Sequence, residues 1–241
     1  EVGGYSGLCY LTDLGQVKGD LMLCMDGFSD DVGIGSNGII TWDVMVKGRS
    51  AHSGSSFLGV NAVERSILVM ERLMDLKKVQ ARRSRLPASS PVKSVGIENL
   101  MPILNITMVN GGVKENIVPD RCVLRGDRRV IPEERMEEAM EEIEKALEPL
   151  RSEGIDFELK FYPGYPPMSV DPEHAWVNEV REAVERGMGF MPQLSAAQGS
   201  LDQAYATEKT GIPTCVYGVG RQLESNIHAP NENVRIADLE G

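Results

Sequence analysis

The sequence predicts an α/β protein in which a compact unit is inserted into a discontinuous host layer. Three observations carry this. Between Trp42 and Phe161 the apolar spacing follows the order strand, helix, strand, strand, helix, strand, the split βαβ arrangement of a sheet with two helices on one face. Residues 1–40 and 163–241 hold strands and helices of their own. Pro163-Gly164-Tyr165-Pro166-Pro167 supplies a hinge where the inserted unit, residues 41–162, hands the chain back to its host.

The elements follow from local pattern. Residues 21–25 are an apolar run between Gly19-Asp20 and Asp26-Gly27, read as a buried strand ending in a polar turn. Residues 39–46 alternate apolar and polar side chains with β-branched residues, as a half-buried strand does. From 61 to 76 the apolar positions Val63, Ile67, Met70, Leu73 and Met74 recur at helical spacing, with Asn61 as the capping residue. Strands are expected at 104–109 and 122–124. Pro132 opens a second helix over 133–150, with Met136, Met140, Ile143 and Leu147 as its apolar stripe. Residues 157–161 alternate again. The stretch 79–101 is long for a connection inside a compact domain and reads as a disordered surface loop, a functional flap being the alternative.

Composition narrows the function classes. With 241 residues, 41% of them hydrophobic and 25% charged, the chain can bury a full core. A formal net charge of −11 argues against nucleic acid, whose phosphates call for a surplus of Lys and Arg on one face. No apolar run approaches the roughly 20 residues of a membrane span, so the expectation is a soluble, cytoplasmic protein acting on small molecules. Cys9, Cys24, Cys122 and Cys215 lack C-x-x-C spacing and read as buried free thiols.

Several residues have the chemistry of a site. In Gly111-Gly112-Val113-Lys114-Glu115-Asn116-Ile117-Val118-Pro119-Asp120, followed by Asp127-Arg128-Arg129, an amide and a guanidinium flank the 122–124 strand, and such donors can grip a carboxylate. Arg128, on the opposite strand face from Arg129, reads as solvated. His52 lies among small neighbours in Gly48-Arg49-Ser50-Ala51-His52-Ser53-Gly54, accessible as an oxyanion donor. Asp26 ends the first strand, either as a turn former or as a metal ligand; Asp30 and Asp31 read as surface residues. His228 sits in a loop after an apolar strand at 214–217, where α/β sheets place ligands. His174 reads as a solvated first-turn residue.

In chain order these segments join Glu1-Val2-Gly3-Gly4, Gly59-Val60-Asn61-Ala62, Gly199-Ser200-Leu201-Asp202, Gly218-Val219-Gly220 and His228-Ala229-Pro230-Asn231-Glu232. The set resembles the dinuclear-zinc deacylase family of acetylornithine deacetylase, succinyl-diaminopimelate desuccinylase, aminoacylase and the glutamate carboxypeptidases. The resemblance implies a zinc-peptidase-like catalytic domain, residues 1–40 with 163–241, and an inserted ferredoxin-like lid and dimerisation domain, residues 41–162. It implies two zinc ions, with cobalt or manganese as alternatives, ligated by Glu1, Asp26 and His228 among about five protein ligands. The matching general base would lie one residue before Glu1. A further His ligand and a bridging Asp have no counterpart in these residues, which implies a fragment that is inactive alone.

By the same resemblance His52 reaches the partner subunit's site in a homodimer, and Asn116 and Arg129 hold the substrate carboxylate. Gly199, Ser200, Gly218 and Gly220 approach the substrate. Leu201 departs from the family's Gly-Thr-Ser-Asp or Gly-Thr-Asp segment. The implied reaction removes an acyl group from an N-acyl amino acid. A metallo-carboxypeptidase or dipeptidase is one alternative, and a non-catalytic carboxylate-binding dimerisation module is the other.

Overall fold

The structure, a computed structural model, describes residues 7–221, 224–227 and 229–240. In chain order it runs through α1 (Leu8–Asp13), β1 (Met22–Cys24), β2 (Asp31–Ser36), β3 (Gly38–Lys47), α2 (Ala62–Leu76) and α3 (Ser90–Lys93). It continues with β4 (Ile103–Gly111), β5 (Arg121–Val130), α4 (Met136–Ser152), β6 (Phe157–Pro163) and β7 (Met168–Ser169). The last elements are α5 (Ala175–Met188), β8 (Gln193–Ala197), α6 (Gln203–Thr210), β9 (Thr214–Val216) and α7 (Ile236–Glu240).

Strands β4-β5-β3-β6 form one antiparallel sheet in that order. Helices α2 and α4 cover one face of this lid sheet. Trp42, Val44, Val46, Cys122 and Leu124 meet Val69, Leu73, Ile143 and Leu147 in one buried cluster, and each fully buried aliphatic contributes about 1.5–3 kcal/mol. Asn61 caps α2, its Oδ1 accepting from the backbone N–H of Val63 (3.0 Å) and Glu64 (3.2 Å). Gly126 admits no side chain: a Cβ there would stand 1.9 Å from the Asn105 carbonyl oxygen and 2.2 Å from the Trp42 ring.

The lid differs from expectation in three ways. Helix α4 starts at Met136, not at 133, because Glu133 and Glu134 use their carboxylates elsewhere: Glu133 accepts from Ser84 and Arg85, and Glu134 from Arg128. Strand β5 is longer than 122–124 and carries Asp127, Arg128 and Arg129 within it. On α2, Ile67 and Met74 are not core residues but stand 50% and 54% exposed, while Ala62, Ser66 and Val69 are buried.

The second sheet runs β1-β9-β2-β7, with β8 also on β2; β1 is parallel to β9 and β2 to β8. Its core surrounds Val32 and Ile34 of β2, against Val177, Val180 and Val184 of α5. Strand β1 was expected to be buried, but it is an edge of this sheet, and Leu23 is 43% exposed. An apolar run records a preference for burial, not the neighbour that provides it.

Residues 79–101 are not a disordered loop. Residues 84–100 form an irregular hairpin arm: Ser84 N donates to Leu100 O (2.8 Å), Leu100 N to Leu86 O (3.1 Å) and Ala88 N to Glu98 O (2.8 Å). Leu86 and Leu100 are buried in the β2 core, and Ala88 bridges Ala196 of β8 in parallel. The arm therefore ties the lid to the other sheet. Among the described residues no helix is long and apolar enough to cross a membrane.

Candidate active site

A cavity of about 380 Å³ opens beyond the C-terminal end of β1, where α/β sheets hold ligands. Asp26, Asp31, Ser195, Gln198, Gly199 and Leu201 line it, together with Ser89 and Pro91 from the arm. Two acidic residues, Asp26 and Asp31, belong to this lining, and among the described residues no lysine or arginine does. Asp26 is exposed, and among the described residues its carboxylate has no hydrogen-bond or ion-pair partner.

Hard carboxylate oxygens suit zinc or a similar cation, so Asp26 fits the ligand role. Glu1 and His228, the other expected ligands, lie outside the described residues. Among the described residues no group of three His, Cys, Asp or Glu could hold a metal. Asp31, expected at the surface, is only 4% exposed, and Asp30 is half-buried. The signal that could have found Asp31 is the apolar β-branched pattern that follows it at Val32 and Ile34.

The thiols beneath the site are poor nucleophiles. Burial pushes the Cys215 thiol up to about 11 and raises that of Cys24 as well, so neither is ionised at neutral pH. All four cysteines are free.

Gly218 is required by close packing against the chain itself. A Cβ there would come within 2.4 Å of the Gly27 carbonyl oxygen, so the Gly218 backbone supports the turn that carries Asp26. Gly220 pairs with Phe28 in a parallel bridge on the same turn. Behind it, Arg221 grips Asp238 of α7 through two bonds of 2.7 and 2.8 Å, and Ser29 Oγ donates to the same carboxylate at 3.1 Å. The Arg221 guanidinium holds the Asp238 carboxyl below its ordinary value.

The lid residues fall into two groups. His52 and Asn116 are neighbours: His52 bridges Ile117, and Ser53 N donates to Asn116 O at 3.0 Å. The His52 Nδ1 accepts from Gly54 N–H at 3.1 Å, so the neutral ring carries its proton on Nε2, exposed and free to donate. Arg129 sits at the other end of β5, roughly 25 Å of extended strand from Arg121. There Arg129 Nε donates to Asp127 (2.9 Å) and Nη1 to Ser200 Oγ (3.4 Å), placing the guanidinium at the rim beside Gly199. One chain cannot bring Asn116 and Arg129 to the same carboxylate.

Arg128 is fully buried, contrary to the solvated reading. It pairs with Glu134 (2.9 Å) and Glu142 (3.4 Å), and Arg82 from the arm root pairs with both glutamates at 2.6 Å. Two cations and two anions balance, which is the condition for holding a charge in the core. His174 caps α5, its Nδ1 accepting from Trp176 N–H at 3.1 Å.

The family described as "Peptidase dimerisation domain", of the M20 group, matches residues 34–154. The succinyl-diaminopimelate desuccinylase of Wolinella succinogenes is 28% identical over 216 residues, 88% of this chain and 52% of that protein. A probable carboxypeptidase of Ajellomyces dermatitidis is 30% identical over 208 residues, 86% of this chain and 43% of that protein. The chain spans about half the length of the curated relatives it matches.

Among solved structures, an M20 family metallo-carboxypeptidase from Sulfolobus solfataricus aligns with TM-score 0.73 at 18% identity, over 95% of this chain and 62% of that one. A tripeptidase from Staphylococcus aureus aligns with TM-score 0.72 at 21% identity, over 93% and 54%. These two share the fold. With β3, α2, β4, β5 and α4 of the βαββαβ lid inside the matched span, the chain belongs to the M20 peptidase dimerisation-domain family.

Proposed function

We propose that the protein carrying this chain is a metal-dependent amidohydrolase that removes an acyl group from an N-acyl amino acid. The observation that carries the reading is Asp26, a carboxylate without a partner among the described residues, in the cavity beyond β1, with Arg129 and Ser200 at its rim. Asp26, with Glu1 and His228, would hold two zinc ions, cobalt or manganese being alternatives. When bound, the metal supplies Lewis acidity toward the scissile carbonyl and the attacking water.

The chain's own residues do the rest. Arg129 offers a planar pair of N–H donors to the substrate carboxylate, kept in orientation by Asp127. Gly199 and Ser200 bring backbone and hydroxyl to the same edge. His52 Nε2–H donates to the oxyanion, and Asn116 beside it adds amide donors. His52 and Asn116 lie too far along the lid to serve their own chain's Arg129, so they would act in the partner subunit of a homodimer. The four free cysteines suit a cytoplasmic location.

A carboxypeptidase or dipeptidase would use the same residues on a peptide bond, and the relatives that bear the name carboxypeptidase favour it as the second reading. The test is hydrolysis of N-acetyl and N-succinyl amino acids and of dipeptides by the protein loaded with zinc, cobalt or manganese. Turnover abolished by chelation and by Asp26→Ala is the expected result. Metal-independent turnover would overturn the metal assignment. Carboxylate binding with no turnover on any metal would establish the non-catalytic binding module instead.

A further inference from the structure

The arm tip has no part in the chemistry proposed above, yet it forms one side of the cavity. Ser89 and Pro91 line it together with Leu201, and Phe28, Ala197, Val216 and Ile227 add to the apolar part of the lining. We propose that Pro91 and Leu201 are specificity-determining residues, together selecting an uncharged, apolar side chain on the amino-acid portion of the substrate. The proposal rests on the amidohydrolase reading and deepens it to a substrate class.

Three observations support it. The wall is built in place: Ala88, three residues before Pro91, is fully buried and bridged to Ala196, and the arm is pinned at its other end by Leu100. Gln198 reads the Met101 backbone in both directions, donating to its carbonyl (3.1 Å) and accepting from its N–H (3.2 Å), so cavity floor and arm base are fixed together. Leu201 is held in place by packing against Met168, Ala204 and Val216.

The apolar wall disfavours the other classes. A side-chain carboxylate would lose water against Pro91, Leu201 and Phe28, and among the described lining residues no lysine or arginine would receive it. A side-chain ammonium would pay the same desolvation against the same wall. An apolar chain displaces water from an apolar wall and leaves no polar group unpaired. The cavity volume, about 380 Å³, suits a single amino-acid derivative.

The experiment compares kcat/KM of the metal-loaded protein for N-acetyl-L-norleucine, N-acetyl-L-ornithine and N-acetyl-L-glutamate, which differ mainly in the charge at the chain end. Norleucine should be preferred by about tenfold or more, the scale on which apolar pockets discriminate. Leu201→Ser and Pro91→Gly should each lower the norleucine value about tenfold through KM, with ornithine held within about threefold, and Leu201→Met should restore the preference. A charged substrate used as well as norleucine, or variants that lower all three values alike, would overturn the wall.

If nothing is hydrolysed, calorimetric binding of the same three compounds decides. Norleucine-selective binding lost in Leu201→Ser would retain the wall and reject only the hydrolase. Unselective binding, or none, would reject the wall.

Discussion

Arg128 and Arg129 are adjacent in sequence and have opposite roles. Strand parity separates them: Cys122, Leu124, Gly126, Arg128 and Val130 face the helices, whereas Arg125, Asp127 and Arg129 face away. The parity was legible, since Arg128 falls in step with Cys122 and Leu124. What local sequence could not supply was the pair of glutamates, six and fourteen residues on, that make its burial tolerable. His52 and Asn116 were legible as site candidates through their motifs, but their shared end of the lid emerges only from the bridge between His52 and Ile117.

Two outcomes follow at this scale. Gly126→Ala should destabilise the protein by about 1–3 kcal/mol or more by overpacking against Trp42, measured as a lower urea midpoint. His52→Ala should reduce kcat about 10²–10³-fold, as loss of an oxyanion donor does, with the urea midpoint unchanged because the side chain is exposed.

At the scale of elements, period alone located β3, α2, α4 and β6 to within a few residues. These are the elements whose own sequence alternates or repeats against a continuous partner surface. The arm escaped because its order comes from Leu86, Leu100 and Ala88 each meeting a distant strand, with polar residues between them. Leu100→Ala should therefore cost about 2–5 kcal/mol, the range for a buried leucine truncated in a core, read by denaturant unfolding. A surface loop would tolerate the change.

Helix α7 is clamped at Asp238. A carboxyl held low by Arg221 contributes stability that is fully present above its unfolded value and is lost as the pH falls through the lower folded value. Protection of the α7 amides from hydrogen exchange should thus weaken as the pH drops below about 4. Arg221→Met should reduce protection at neutral pH and flatten its dependence on acid.

For the whole molecule, the apolar residues of α2 serve two surfaces. Val69 and Leu73 face the lid core, while Ile67, Leu68 and Met74 remain outside, near the edge strand β4 with Met108 and Val109. The helical stripe was visible in the sequence, but its breadth hid that one flank has no partner among the described residues. An apolar flank next to an open strand edge is a surface that a second copy can cover. Leu68→Glu should convert the proposed dimer to monomer in sedimentation velocity, with the lid still folded by circular dichroism.

The length of β5 carries a stoichiometric consequence. If each centre draws Arg129 from one chain and His52 from the other, a dimer of His52→Ala with Arg129→Ala concentrates both lesions in one centre and leaves its twin intact. Two individually inactive preparations, mixed in equal amounts and allowed to exchange subunits, should recover about one quarter of wild-type specific activity: half the dimers are hybrid, each with one working centre. Centres confined to single chains would recover none, so the yield of an activity titration reads out a distance fixed by a single strand.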